Sequence, residues 1–319
     1  MDLVEALRSI GEPTRLRVLA LLAHGELAVG ELVQILGMSQ PRLSRHMKFL
    51  TSAGLVERMP EGAWVFYRLP ARGEARELIN AVLAFLPEEQ PEYVRDRQRL
   101  DGVRKSRASA AEDYFGRTAA SWDDVRGQHY PAAAVEAALL DAAGRDKAAL
   151  MVDLGTGTGR MLTLFADRVE WAEGIDLSHP MLTVARSNLE RAGVSNAGVR
   201  FGDVTAPPFA DDVADLVIVH QVLHYMDRPE RVIAEASRIL KSGGRLLIVD
   251  FAPHSLEFLR SDHEHRRLGL SDAEIAEWSA SAGLTLHEVP QRFESGSKDG
   301  LIVNIWTADK LPNIGEIAA

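Results

Sequence analysis

The stretch ALMVDLGTGTGR, residues 149–160, decides the fold of the larger part of the chain. Ala149 to Leu154 is a short apolar run and reads as a buried strand. It passes directly into Gly155, Gly157 and Gly159, spaced G-x-G-x-G, and then into a helical pattern from Met161 to Arg168. A strand that turns at once into a helix needs backbone without Cβ, so that a ligand can approach the amides at the helix N-terminus. Asp176 lies 23 residues after Asp153, at the tip of the next predicted strand, 169–175. An acid there suits the two hydroxyls of a ribose. The dinucleotide pattern G-x-G-x-x-G fails, because its sixth position is Arg160.

Working outward, a helix is expected from Pro180 to Ala192, and a third strand from Gly198 to Phe201 ends at Gly202-Asp203. A fourth strand, Ala214 to Val219, leads to a helix from Pro229 to Leu240. A fifth, Arg245 to Asp250, follows Lys241-Ser242-Gly243-Gly244. Alternating strands and helices predict a mostly parallel sheet with helices on both faces. Leu284 to Pro290 and Leu301 to Ala308 have no long helix between them, so they should pair antiparallel.

The motifs VDLGTGTGR, GIDLS, FGDVT and DLVIVHQVLHYMDRPERVIAEASRILKSGGRLLIVDF, in this order, resemble the class I S-adenosylmethionine (SAM)-dependent methyltransferases. The nearest group is the ubiquinone/menaquinone-type small-molecule enzymes. The resemblance implies a Rossmann-like fold and SAM as cofactor. It implies that Asp153, Gly155, Thr156, Gly157 and Gly159 surround the methionine part. Asp176 with Leu177 would hold the ribose, Asp203 and Val204 would flank the adenine, and His220 and Gln221 would close the floor. Tyr114 and Trp122 would contribute to a lid. DNA methylation is disfavoured. Amino-group DNA enzymes carry an acidic or Asn-Pro-Pro-aromatic signature where this chain has His220-Gln221-Val222-Leu223, and carbon-5 cytosine enzymes need a cysteine.

The front of the chain has another logic. Leu16, Leu19, Ala20 and Ala23 recur at helical spacing after Pro13, and a second helix fits Val29 to Leu36 and stops at Gly37. Ser39 is placed to cap a third helix reaching about Ala53, with Leu43, Met47 and Leu50 inward and Arg42, Arg45, His46 and Lys48 outward. Leu55–Met59 and Trp64–Leu69 read as strands about the turn Pro60-Glu61-Gly62, and Arg72 to Leu86 as a last helix. The run from Gly11 to Leu69 resembles the ArsR-type winged-helix repressors, most specifically in SQPRLSRHMKFLTSAGLV. That resemblance implies a homodimer on a palindromic double-stranded DNA operator, with the helix from Ser39 in the major groove. Ser39, Gln40, Arg42, Ser44, Arg45 and Lys48 would face DNA, and Arg58 and Arg68 would touch flanking phosphates. The thiol-sensing members carry a cysteine pair where this chain has Glu26-Leu27-Ala28-Val29-Gly30-Glu31-Leu32, so that mode of metal sensing is closed.

Composition bounds the rest. The 319 residues are 46% hydrophobic, enough for two domains with real cores, and include no cysteine. Disulfides, zinc–thiolate sites and thiol nucleophiles are excluded. The net charge of −10 is uneven: residues 1–86 and 87–110 each carry +1, and residues 111–319 carry −12. The back should repel DNA and the front should not. No apolar run approaches the ~20 residues of a membrane span, and the first residues are no secretory signal, so a cytoplasmic address is expected. The expected division is a winged helix-turn-helix over 1–86, a charged, solvated helical linker over 87–110 and a methyltransferase domain over 111–319.

Methyl transfer needs alignment, plus a base where the acceptor carries a proton. His220, His224, Tyr225, His254, His263 and His265 are the candidates, with His220, His224, His263 and His265 kept as catalytic candidates. His224 sits in Leu223-His224-Tyr225, which resembles a common structural turn. Asp262-His263-Glu264-His265 reads first as a polar surface helix, and otherwise as a metal or acceptor contact; no metal is assigned. Two functions remain in view. One is a DNA-binding transcriptional regulator fused to a SAM-dependent methyltransferase acting on an unknown small molecule. The alternative is a non-catalytic regulator sensing SAM or S-adenosylhomocysteine.

Overall fold

The structure, a computed structural model, describes residues 2–61, 64–87, 89–107, 109, 131–262, 265–294 and 301–311. Its chain divides into two compact units, one built on Met1–Ala110 and the other on most of the remainder.

The first unit is helical with a small sheet. Helices α1 (Leu3–Ile10), α2 (Pro13–Leu22), α3 (Val29–Leu36) and α4 (Gln40–Ser52) come first. Pro13 opens α2, where its missing N–H costs nothing, and Gly37 closes α3 in the left-handed region at φ +65°. Leu43, Met47 and Leu50 are the buried face of α4, at helical spacing. Ser39 holds the N-cap position, but its hydroxyl makes no capping bond. Strands β1 (Leu27–Ala28), β2 (Glu57–Glu61) and β3 (Trp64–Arg68) form an antiparallel sheet in the order β1-β3-β2. The first hairpin strand starts later than expected and takes in Pro60. As an edge strand, β2 tolerates a residue that cannot donate. Helix α5 (Glu74–Leu83) follows.

The solvated-linker expectation for 87–110 is corrected. Residues 91–107 form a helix, α6, and Leu100 and Val103 are buried in the core of this unit with Leu19, Leu32, Ile35 and Leu50. Its charged residues are not all solvated. Asp96 accepts two bonds from the Arg17 guanidinium at 2.6 and 2.7 Å, and Arg99 donates to the Ile35 carbonyl at 2.8 Å. Arg107 is buried, donating to Glu31 and to the Glu26 carbonyl. Charge spacing alone hides this, because the apolar contacts are few and the ion pairs are long-range.

The second unit holds, among the described residues, an eight-stranded sheet. Its strands are β4 (Ala148–Leu154), β5 (Val169–Asp176), β6 (Ala197–Phe201), β7 (Ala214–His220), β8 (Leu240–Phe251), β9 (Leu284–Leu286), β10 (Gln291–Glu294) and β11 (Ile302–Lys310). The order is β10-β11-β8-β7-β4-β5-β6, with β9 also on β11. The β4–β5, β4–β7 and β7–β8 pairs are parallel, and β11 pairs antiparallel with β8, β9 and β10. Helices α7 (Ala132–Ala142), α8 (Arg160–Leu164), α9 (His179–Arg191), α10 (Pro229–Ile239), α11 (Phe258–Asp262) and α12 (Asp272–Ser281) complete it. The core runs through Val152, Leu154, Val217, Val219, Leu246 and Ile248, with Trp306 buried among them. Strand β10 was not expected, because Gln291–Glu294 has no apolar alternation and owes its place to pairing with β11.

Candidate functional site

The carboxyl ends of β4, β5 and β7 open on one cavity of about 280 Å³. Parallel sheets place ligands there, where strand order reverses. After β4 the chain turns through Gly155 (φ +81°), Gly157 (φ +51°) and Gly159 (φ +75°). A Cβ on Gly155 would lie 2.4 Å from Val222 Cγ2, whereas one on Gly157 would meet nothing within 4 Å. The loop is tight on its sheet side and open at Gly157.

Two acids face this loop. Asp153 is 1% exposed, and neither of its carboxylate oxygens has a hydrogen-bond partner among the described residues. Burial raises its pKa to about 7; the Thr156 hydroxyl opposes this without reaching hydrogen-bond geometry, and the charge of Asp176 adds to it. Asp176 accepts from the Gly157 N–H at 2.9 Å and the Ser178 N–H at 2.8 Å. Its pKa is raised by burial, against those two backbone donors. Leu177, 54% exposed, and buried Val204 supply apolar wall. Gln221 sits at φ +56°, rare for a side chain with a Cβ, and its N–H donates to the Val249 carbonyl at 2.7 Å.

The other end of the cavity is ringed. His224 Nδ1 lies 2.6 Å from Asp250 Oδ1, and both residues are buried. Tyr225 and His265 pack on the His224 ring at centroid distances of 4.1 and 4.2 Å, and Phe251 at 5.1 Å. All five positions except Asp250 line the cavity. In the first unit, Ser39, Gln40, Arg42, Ser44, Arg45 and Lys48 lie exposed along one side of the α4 region, and Arg58 is exposed on β2.

Comparison with known proteins agrees with both architectures. The bacterial regulatory protein arsR family matches residues 12–58, and the methyltransferase domain family matches 152–248. The biofilm growth-associated repressor of Xylella fastidiosa is 36% identical over 81 residues, which are 25% of this chain and 70% of that protein. The chain belongs to the arsR family and also carries a methyltransferase domain. The malonyl-(acyl-carrier protein) O-methyltransferase of Methylococcus capsulatus is 36% identical over 114 residues, 35% of this chain and 41% of that one. The arsR-family protein spans about half the length of the methyltransferase relatives it matches. A solved structure of geranyl diphosphate C-methyltransferase from Streptomyces coelicolor has a TM-score of 0.50 at 17% identity, covering 56% of this chain and 77% of that one. At that identity the likeness is one of fold.

Within this arsR-family protein, the structure gathers Asp153, Gly155, Thr156, Gly157, Asp176, Leu177, Val204 and His220 around the cavity. Gly159 and Asp203 are not on its wall. Gly159 starts α8 instead, where a Cβ would press on Ala185 at 3.1 Å. Exposed Asp203 accepts from the N–H and hydroxyl of Thr205, both at 2.8 Å. Arg68 is a correction. It is buried, its Nε donating to Glu57 at 2.7 Å and its Nη1 lying 3.5 Å from Glu26, so it has no reach to a phosphate. His224 and His265 join the cavity; His263, Tyr114 and Trp122 lie outside the described residues. Sequence reasoning missed Met161, Met181, Met226 and Phe251, which line the cavity. Apolar residues at helical or strand spacing read as core, and nothing local marks the ones that face a void. No group of metal-ligating side chains is found among the described residues.

Proposed function

We propose that this protein binds SAM in the cavity at β4, β5 and β7 and transfers its methyl group to a small molecule, while the front unit binds operator DNA. The observation that carries the reading is Asp153: a buried carboxylate with no hydrogen-bond partner among the described residues, beside a glycine open to the cavity. A buried carboxylate is costly unless paired. An ammonium group would pair it, so the residues fit the amino-acid end of SAM.

When bound, SAM supplies an electrophilic methyl on a sulfonium. The chain's own residues do the rest. Asp153 holds the amine, and the Gly155–Gly157 turn lets backbone amides approach the amino-acid part. Asp176 takes the ribose hydroxyls while the Gly157 N–H keeps its carboxylate aimed. Leu177 and Val204 cover the base. His220 and Gln221 floor the cavity between cofactor and acceptor.

The division of labour proposed is DNA binding by residues 1–86 with α6 as their support, and catalysis by 111–319. The protein acts as a homodimer on a palindromic site, reading bases with Gln40, Arg42, Ser44 and Arg45 and holding phosphates with Ser39, Lys48 and Arg58. No helix among the described residues is long and apolar enough to cross a membrane. A cytoplasmic location follows from the DNA-binding role.

Calorimetric titration with SAM and S-adenosylhomocysteine tests the reading, with and without a duplex selected in vitro on the full-length protein. Both nucleosides should bind at one site per chain, and Asp153→Asn should weaken both. Absence of binding would remove the cofactor assignment.

A further inference from the structure

Helix α2 puts Arg17, Ala20 and Leu21 on one side, at i, i+3 and i+4. Helix α6 presents Tyr93, Asp96 and Leu100 in the same way. Between these two faces and Leu83, at the end of α5, lies a second cavity of about 170 Å³, whose described lining belongs entirely to the first unit. Two alanines, Ala20 and Ala23, stand where larger side chains would fill it. Protein interiors are close-packed and seldom keep voids larger than a water molecule. This one has the size of an apolar cavity that admits a benzene ring, ~150 Å³.

Its walls sort by burial. Leu21 and Leu100 are buried at the base, Leu83 is half-buried, and His24 and Arg97 are exposed at the rim. Below the rim the charges are already matched. Arg17 donates to Asp96 through Nε at 2.6 Å and through Nη2 at 2.7 Å, so one ion pair spans from α2 to α6. Asp96 is buried, and an anion entering beside it would meet a second negative group with little water to screen the two. Hydrogen-bond donors, by contrast, are left over. A guanidinium has more N–H groups than the two that Asp96 takes. The Tyr93 hydroxyl enters no hydrogen bond among the described residues. Burial raises the Tyr93 pKa, with Arg17 opposing and Asp96 and Glu92 adding to it, so the hydroxyl keeps its proton and stays a donor.

We infer that this cavity is a ligand site of the first unit, and that it takes an uncharged molecule of one ring bearing an acceptor oxygen, such as an aryl ketone. The ring lies against Leu21, Leu83 and Leu100, and the oxygen accepts from the Tyr93 hydroxyl beside the Arg17–Asp96 pair. The site shares no described residue with the cavity at β4, β5 and β7, so it stands whether or not that cavity binds SAM. Helix α2 packs on both α5 and α4, so an occupant bears on the helix that carries Arg42 and Lys48.

The test uses the full chain and three probes of one shape: acetophenone, α-methylstyrene, which replaces the carbonyl oxygen by a methylene, and benzoate, which adds a charge. The sequence has no cysteine, so Ala20→Cys puts a single thiol on the cavity wall, and its rate of alkylation by iodoacetamide reports occupancy. Ala23→Cys supplies a second such thiol should the first variant not fold. Ser52→Cys, exposed at the end of α4, is the control whose rate should not respond to any probe. Acetophenone should slow alkylation at the cavity thiol. The half-protecting concentration of α-methylstyrene should be about five-fold higher, the worth of one hydrogen bond, and benzoate should not protect. Adding Tyr93→Phe should bring the two uncharged probes to the same value while leaving that of α-methylstyrene unchanged. No protection by acetophenone at either cavity thiol, equal protection by benzoate, or a gap between the uncharged probes that survives Tyr93→Phe would each overturn the inference.

Discussion

Gly155 has no room for a side chain: φ is +81° and the Val222 methyl stands 2.4 Å from where a Cβ would be. Gly155→Ala should therefore lose the S-adenosylhomocysteine heat in calorimetry and cost about 1–3 kcal/mol in stability by chemical denaturation. Asp153 makes a prediction in pH. Its folded pKa, near 7, lies above its unfolded value, so the folded state holds the proton over the intervening range. Stability without ligand should fall as pH rises from about 4 to 7, and Asp153→Asn should flatten that slope. Ligand binding runs the other way. An ammonium group wants the carboxylate, so S-adenosylhomocysteine affinity should rise as pH passes through 7, and Asp153→Asn should be weak and pH-independent. Glycine spacing and both acids are legible in sequence because their roles are local. That Asp153 has no hydrogen-bond partner among the described residues is not, since it depends on what surrounds the end of β4.

Helix α6 shows how an element can be misjudged. Its sequence is charge-rich, yet Leu100 and Val103 are core and Arg99 and Arg107 bind carbonyls beside both ends of α3. It braces α3, against which α4 packs. Leu100→Ala should cost the first unit about 2–5 kcal/mol. Hydrogen exchange should then quicken in α2, α3 and α4 while peptides of β4 and β5 keep their protection. Equal loss in both units would show that α6 is not specific to the first. The β2 register carries the same lesson. Pro60 reads as a turn residue in sequence, but strand order, a tertiary fact, puts it on an edge where it is allowed.

At the scale of the whole chain, charge is divided: nearly all the negative excess lies in residues 111–319. On the proposed reading, DNA affinity comes from the exposed cations of the front unit. Lys48→Ala and Arg58→Ala should each lower the salt slope of operator binding, by about 0.9 per lost phosphate contact. Arg68→Ala should leave that slope unchanged and lower thermal stability instead, because it uncovers Glu57 and Glu26. A drop in slope for Arg68→Ala would mean that it reaches DNA after all. The sequence by itself determined the two architectures, the glycine turn, the acids at the tips of β4 and β5, and the basic face of α4. Those follow from periodicity, φ requirements and spacing, which act over a few residues. Only the tertiary structure decided that Arg68 and Arg107 are buried ion-pair members, that α6 belongs to a core, that Asp203 turns away, and that His224, Asp250 and His265 meet. Those facts join residues far apart in the chain, and no local pattern encodes which distant partner a side chain finds.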